Sequence, residues 1–125
     1  MKVVDTSIFI DHFRGHAPAT NFFESLKEEA IFSAITETEL LTGSQCNLAQ
    51  TRDYILQFLS KLKKINVDNP IAQLAGDLSR EYGKQGLEIG DALIAATALV
   101  YKAELLTRNI RDFEKITGLK VRTPY

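Results

Sequence analysis

The sequence predicts an α/β fold: a single-domain parallel sheet of about five strands, with helices on both faces in three α/β/α layers. Three observations carry this. Short apolar runs suited to buried strands alternate with longer segments of helical spacing. Most junctions between them carry a cap or breaker residue. No linker, repeat or low-complexity stretch divides the 125 residues, so 1–125 is read as one domain.

Residues 2–5 form the first strand, an apolar run ending in Asp5. Ile8, Phe9 and Phe13 give 6–14 a helical spacing, which Gly15 ends. Pro18 suits the first turn of a second helix reaching 29, with Phe22, Phe23 and Leu26 inward. Residues 30–35 are the second strand, and 36–42 a helix weakened by Gly43. Ile55, Leu56, Leu59 and Leu62 mark an amphipathic helix over 48–62. After a third strand at 64–67, Asp68-Asn69-Pro70 starts a helix with Ile71, Leu74, Ala75, Leu78 and Tyr82 on one stripe. Residues 83–90 are a loop. The nearly all-apolar stretch from Asp91 to Tyr101 implies a helix buried on most sides. A strand at 104–107, a short helix at 108–116 and a last strand at 120–123 complete the order.

Composition sets bounds on function. Hydrophobic residues at 45% and charged residues at 25% are ordinary for a soluble globular domain. No apolar run approaches the ~20 residues that span a bilayer, so no membrane partner is expected. The start, Met1-Lys2-Val3-Val4-Asp5, meets a carboxylate too early for a secretory signal. The single cysteine, Cys46, excludes an internal disulfide and suits a reducing cytoplasm, where it is a small side chain on or near a helix. A net charge of −1 does not advertise a nucleic-acid partner. Lys61, Lys63 and Lys64, or Arg108, Arg111 and Lys115, are the local basic clusters, for which a solvated helix face is the simpler use.

In open α/β sheets ligands bind beyond the carboxyl ends of the strands, where strand order reverses. Four of the 16 acidic residues meet that rule. Asp5 closes the first strand, Glu39 lies in the first turn of the helix after the second, and Asp112 lies just past the fourth. Asp91 opens a helix that precedes a strand, and joins them only if the 83–90 loop reverses the chain. Each has an ordinary rival use: Asp5 as a helix cap, Glu39 with Thr36 as a capping box, Asp91 as a charge on a helix dipole, Asp112 as a solvated helix residue. Gathered together, they would raise one another's pKa values unless a cation offset them. No Lys, Arg or His adjoins Asp5, Glu39 or Asp91 in sequence. Their joint placement therefore points to a hard divalent ion, Mg²⁺ or Mn²⁺, and to hydrolysis of phosphate esters.

Four segments carry a family resemblance. Val3-Val4-Asp5-Thr6-Ser7, Ile35 to Gly43 with its Glu39-Leu40-x-x-Gly43, Ile89-Gly90-Asp91-Ala92-Leu93-Ile94-Ala95-Ala96, and Leu105-Leu106-Thr107-Arg108-Asn109-Ile110-Arg111-Asp112-Phe113 resemble the successive motifs of PIN-domain proteins. More narrowly, they look like the toxin subunits of VapBC-type toxin–antitoxin pairs, over the whole chain. The resemblance implies a Mg²⁺- or Mn²⁺-dependent endoribonuclease acting on tRNA, rRNA or mRNA. It also implies a homodimer held inactive by a cognate VapB-type antitoxin. Asp5, Asp91, Glu39 and Asp112 carry over as catalytic, metal-site acids, with Thr6, Ser7 and Thr107 as supporting hydroxyls. Many members have an aspartate where this chain has Asn109, which can orient a water or carboxylate but supplies no charge. A one-ion site with Asp5 and Asp91 as main ligands follows.

Two other readings remain. A phosphatase of the haloacid-dehalogenase kind also begins from Asp at the end of the first strand, but wants a second acid where Ser7 stands. A catalytically silent PIN-like binding or scaffold domain would need no acid set. His12 and His16 are expected as ordinary surface residues, and Tyr54, Tyr82, Tyr101 and Tyr125 form no regular stacking platform. Phe9, Phe13, Phe22 and Phe23 crowd the first helices, and some of that aromatic surface is expected at a dimer interface or under the antitoxin.

Overall fold

A computed structural model describes every residue from Met1 to Tyr125. Five parallel strands, β1 (Lys2–Val4), β2 (Ala30–Ser33), β3 (Lys63–Ile65), β4 (Glu104–Leu106) and β5 (Val121–Arg122), form one sheet in the order β3-β2-β1-β4-β5. The order reverses at β1, which pairs with β2 on one side and β4 on the other. The reversal of strand order, beside which ligands bind in such sheets, therefore falls between the carboxyl ends of β1 and β4.

Seven helices cover the sheet: α1 (Thr6–Phe13), α2 (Ala17–Glu24), α3 (Ala34–Leu41), α4 (Ala49–Leu59), α5 (Asn69–Tyr82), α6 (Ile89–Val100) and α7 (Ile110–Phe113). Alternation along the strands divides the core into two. Val3, Ile31, Ile65 and Leu105 join a cluster with residues of α5, α6 and Phe113. Val4, Ala30 and Phe32 join a second cluster with Ile8 and Phe9 of α1 and Ile55 and Leu59 of α4. In α6, Ala92, Ala95, Ala96 and Ala98 are fully buried, small enough to let the helix lie close among α5, α3 and the sheet. No helix is long and apolar enough to cross a membrane.

Several boundaries differ from expectation, each for a local reason. The second helix ends at Glu24 instead of 29, because Ser25 Oγ donates to the Asn21 carbonyl (2.7 Å) and closes the last turn. The helix after β2 begins two residues early, at Ala34, because Ser33 Oγ accepts from the Ile35 amide (3.2 Å). Thr36 is thus not a cap, the capping box with Glu39 does not form, and Glu39 stands in the second turn instead of the first. The 83–90 loop contains a 3₁₀ turn at Gly83–Gln85 and yields its end to α6. The helix expected over 108–116 shrinks to Ile110–Phe113. Gly15 ends α1 as expected: at φ 81° it lets His16 N–H reach the Asp11 carbonyl (2.9 Å).

The aromatic side chains of the first helices mostly pack on each other. Phe9 lies 5.1 Å from Phe23, 5.7 Å from Phe32 and 6.3 Å from Phe58, ring centre to ring centre. His12 is not an ordinary surface residue: its ring stacks on Phe58 at 4.4 Å and its Nδ1 meets Thr20 Oγ1 at 2.9 Å. Burial accordingly lowers its pKa. Phe9, with none of its surface exposed, is the hub of this layer. Phe9→Ala should cost about 3–5 kcal/mol of unfolding free energy in urea titration; a loss below about 1 kcal/mol would show that α1, α2 and α4 are held together by something else.

Candidate active site

Asp5 follows β1, is 3% exposed, and caps α1 by accepting from the Ser7 amide (3.3 Å). The cap and the site are thus the same carboxylate. Its Oδ2 also accepts from Ser7 Oγ (2.6 Å) and from Thr107 Oγ1 (2.8 Å), just past β4. Both hydroxyls have their directions fixed by a following amide. Arg108 N–H donates to Ser7 Oγ (3.1 Å), and Asn109 N–H donates to Thr107 Oγ1 (2.9 Å). The Ser7 amide and the two hydroxyls all address one oxygen of Asp5. Asp5 Oδ1 has no protein donor, and the only sealed side-chain polar atom lacking a partner is Ser79 Oγ, so Oδ1 is open to solvent.

A second hydroxyl chain serves Glu39. Thr6 Oγ1 donates to Glu39 Oε1 (2.7 Å), which leaves the buried Thr36 hydroxyl to donate to Thr6 (2.9 Å). The other oxygen of Glu39 lies over Gly90. A Cβ at that glycine would stand 2.8 Å from Glu39 Oε2, so a side chain there would push the carboxylate aside.

Asp91, in the first turn of α6, completes the cluster. Its pKa is pushed up to about 6, first by burial, then by Asp5, Asp112, Glu39 and Glu88. Glu39 is also raised, by burial first, with Asp5 and Glu88 adding to it against the Thr6 hydrogen bond. The 83–90 segment therefore does return α6 to the carboxyl rim, and Asp5, Glu39, Asp91 and Asp112 share one electrostatic field. They form a field and not a cage: no three carboxylates converge on one point as ready-made ligands.

No cation is among the groups acting on Asp91. Arg108, adjacent to Thr107 in sequence, turns its guanidinium away to Asp11 Oδ1 (2.9 Å). The opposite rim of the same strands shows the contrast. There Glu104 is paired with Lys2 (2.8 Å) and Arg122 (3.2 Å), and its pKa falls, chiefly through the Lys2 hydrogen bond.

Two expected supports behave differently from the rest. Asn109 is exposed and contributes its backbone amide, with no side-chain hydrogen bond to any carboxylate. Asp112 is half-buried in α7 and reaches Asp91 only through the field. Sequence reasoning missed Glu88, the residue before α6, whose only signal was its place three residues ahead of Asp91. It also missed Thr36 as a link to Glu39, because a capping box claimed it, and Gly90, whose importance lies in what it leaves vacant.

The chain has relatives among known proteins. The PIN domain family profile matches residues 2–119. "Ribonuclease VapC19" of Mycobacterium tuberculosis is 36% identical over 126 aligned residues, covering 96% of this chain and 98% of that protein. "Ribonuclease VapC1" of Rickettsia felis is also 36% identical, covering 97% and 94%. Among solved structures, a chain of the "Toxin-antitoxin complex from Klebsiella pneumoniae" superimposes with a TM-score of 0.83 at 34% identity, covering 100% of this chain and 98% of its own.

The field has a measurable consequence for stability. Asp91 has a folded pKa of about 6 against an ordinary value of 3.8, so the folded state binds the proton more tightly. In a chelating buffer its contribution to stability falls as pH rises from about 4 to about 6, and the full penalty applies above that. Asp91→Asn should then raise the thermal midpoint above pH ~7 by a few degrees, on the order of 1 kcal/mol after allowing for solvent screening. The gain should vanish near pH 4. A midpoint lowered at neutral pH would contradict the repulsion described.

Proposed function

The chain belongs to the PIN-domain family, and on that premise we propose that it is a Mg²⁺- or Mn²⁺-dependent endoribonuclease, the toxin of a VapBC-type toxin–antitoxin pair. The observation that carries the reading is the acidic set at the rim: Glu39 and Asp91 are raised in pKa by burial and by their acidic neighbours Asp5, Asp112 and Glu88, with no cation among the groups acting on either. Hard oxygen donors with uncompensated charge suit a hard divalent ion that keeps several waters for substrate oxygens. Asp5 and Asp91 are the principal ligands in this proposal, with Glu39 and Asp112 completing the acidic wall. When bound, such an ion neutralises charge on the phosphodiester and makes its water more acidic.

The protein's part is positioning. Ser7 and Thr107 hold Asp5 Oδ2 and leave Oδ1 for the ion. The Thr36–Thr6 pair holds Glu39 Oε1, so Oε2 is the oxygen left to orient a water or a ligand. Ligand carboxylates fixed by such neighbours keep their geometry when substrate arrives. Asn109 gives Thr107 an amide and supplies no acid, which supports a one-ion site on Asp5 and Asp91.

RNA as substrate is supported by the ribonuclease names of both Mycobacterium tuberculosis and Rickettsia felis relatives. An antitoxin partner is supported by the Klebsiella pneumoniae complex. The proposal extends to a cytoplasmic homodimer cutting a cellular RNA, whether tRNA, rRNA or mRNA.

The test is incubation of the purified chain, free of antitoxin, with total cellular RNA. Cleavage should appear with Mg²⁺ or Mn²⁺, stop with a chelator, and fall to about 1% or less in Asp5→Asn. Unchanged cleavage in both controls would remove the metal-site reading, and turnover of a small phosphomonoester with intact RNA would favour a phosphatase. Gly90→Ala should reduce cleavage about tenfold and weaken calorimetric Mn²⁺ binding, by displacing Glu39. Its thermal midpoint should hold or rise, since alanine suits a helix better than glycine by about 0.5–1 kcal/mol. Full activity in Gly90→Ala would show that the place of Glu39 is not critical.

A further inference from the structure

Between the end of α1 and the segment after β5 lies a shallow pocket of about 670 Å³, bordered by Asp11, Arg14, His16, Arg108, Thr123 and Tyr125. Its floor is a charged network. Asp11 is buried, and its two oxygens are separately taken: Oδ1 by the Arg108 guanidinium (2.9 Å) and Oδ2 by the Tyr125 hydroxyl (2.5 Å). The arginine and the phenol are thereby fixed in place by one carboxylate. The Arg108 side chain is still 47% exposed. Arg14 is exposed and has neither an ion pair nor a side-chain hydrogen bond. His16, also exposed, sets its ring 5.4 Å from that of Tyr125 at 55°, which gives two tilted aromatic faces beside two guanidinium groups.

The pocket is joined to the acid rim through the same residue. The Arg108 amide donates to Ser7 Oγ, which donates to Asp5, while its side chain reaches Asp11. Asp11 lies six residues along α1 from Asp5, about 9 Å at ~1.5 Å per residue. A stacked strand rises ~3.4 Å per nucleotide, so the separation corresponds to roughly two or three nucleotides. Other basic groups are less well placed. Lys63 opens β3 at the amino end of the sheet, Lys64 is paired with Glu37 (3.3 Å), and Lys115 donates to the Gln85 carbonyl (2.7 Å).

We propose that this pocket is a subsite for single-stranded RNA: Arg14 and Arg108 hold a backbone phosphate two or three nucleotides from the bond that is cut, and a neighbouring base stacks on His16 and Tyr125. Guanidinium–phosphate contacts and aromatic stacking are the two means by which proteins track an unpaired strand. The inference rests on the ribonuclease reading and gives that site its hold on the substrate.

The test uses the full chain with Asp5→Asn, so that RNA is bound without being consumed, and follows a short fluorescein-labelled single-stranded RNA by anisotropy across a range of salt. Adding Arg14→Ala or His16→Ala should weaken binding roughly tenfold each. Arg14→Ala should also reduce the slope of log affinity against log salt by about 0.7, and His16→Ala should leave it unchanged. Thermal midpoints of the Arg14 and His16 variants should match the parent, since neither side chain has a polar partner. Parent-like affinity and slope in both, with the wild-type chain cleaving RNA, would overturn the subsite alone. Absence of both binding and cleavage by the parent chains would overturn the subsite and the ribonuclease reading together.

Discussion

The fold turns on one buried carboxylate. Asp5 ends β1 where the strand order reverses, caps α1, and takes a hydroxyl from the residue after β4. One oxygen atom thus ties two adjacent strands and a helix together at the sheet's carboxyl edge. Charge-assisted hydrogen bonds of this kind are among the stronger ones available to a protein. Here they hold the Asp5 carboxylate in place beside its acidic neighbours. Neutral hydroxyls do this without introducing a positive charge. A lysine or arginine in place of Ser7 or Thr107 would bind Asp5 more tightly and quench the negative field around it.

The two ends of the sheet show how deliberately the charges are distributed. At the amino end, Lys2 and Glu104 are register partners on β1 and β4, and Arg122, two residues along in register with Leu106, reaches back to the same carboxylate. At the carboxyl end, acids accumulate and the Arg108 guanidinium is taken up by Asp11. A protein selected for stability alone would pair both ends. The unpaired end lowers stability at neutral pH and is tolerated because the alanine-rich α6, buried against α5 and the sheet, holds Asp91 at the rim in spite of the repulsion. Strain of this electrostatic kind, concentrated at one place, is a usual mark of a functional site.

Much of this was legible in the residues. Three acids stand on segments that directly follow strands, and connection rules alone carry Asp5, Glu39 and Asp112 to one rim. Asp91 was less determinate, because a helix that precedes a strand can begin at the rim only if the chain before it has returned there. The PIN-domain resemblance supplies that step, because it carries Asp91 over as a metal-site acid. Helix limits failed where a serine side chain outweighed the hydrophobic period, at Ser25 and Ser33, and the second error misread the role of Thr36. His12 failed for another reason: its burial depends on Phe58, 46 positions away, and periodicity within α1 does not report a ring on α4. Glu88 and Gly90 are legible only as members of a three-dimensional cluster.

The arrangement around Arg108 resolves a conflict that any acidic nuclease of net charge −1 faces. Its substrate is a polyanion, and the site that would cut it is itself negative, so long-range attraction has to come from cations nearby. A cation inside the acid cluster would compete with the divalent ion for the carboxylates. One too far away would leave the strand unguided. Pinning Arg108 to Asp11 meets both demands, because its main chain steadies Asp5 through Ser7 while its charge is held a turn and a half down α1. Neither contact was visible from sequence spacing, since Asp11 and Arg108 stand 97 residues apart. They meet because β1 and β4 are neighbours, so the strand order that gathers the acids also decides where the Arg108 charge is kept.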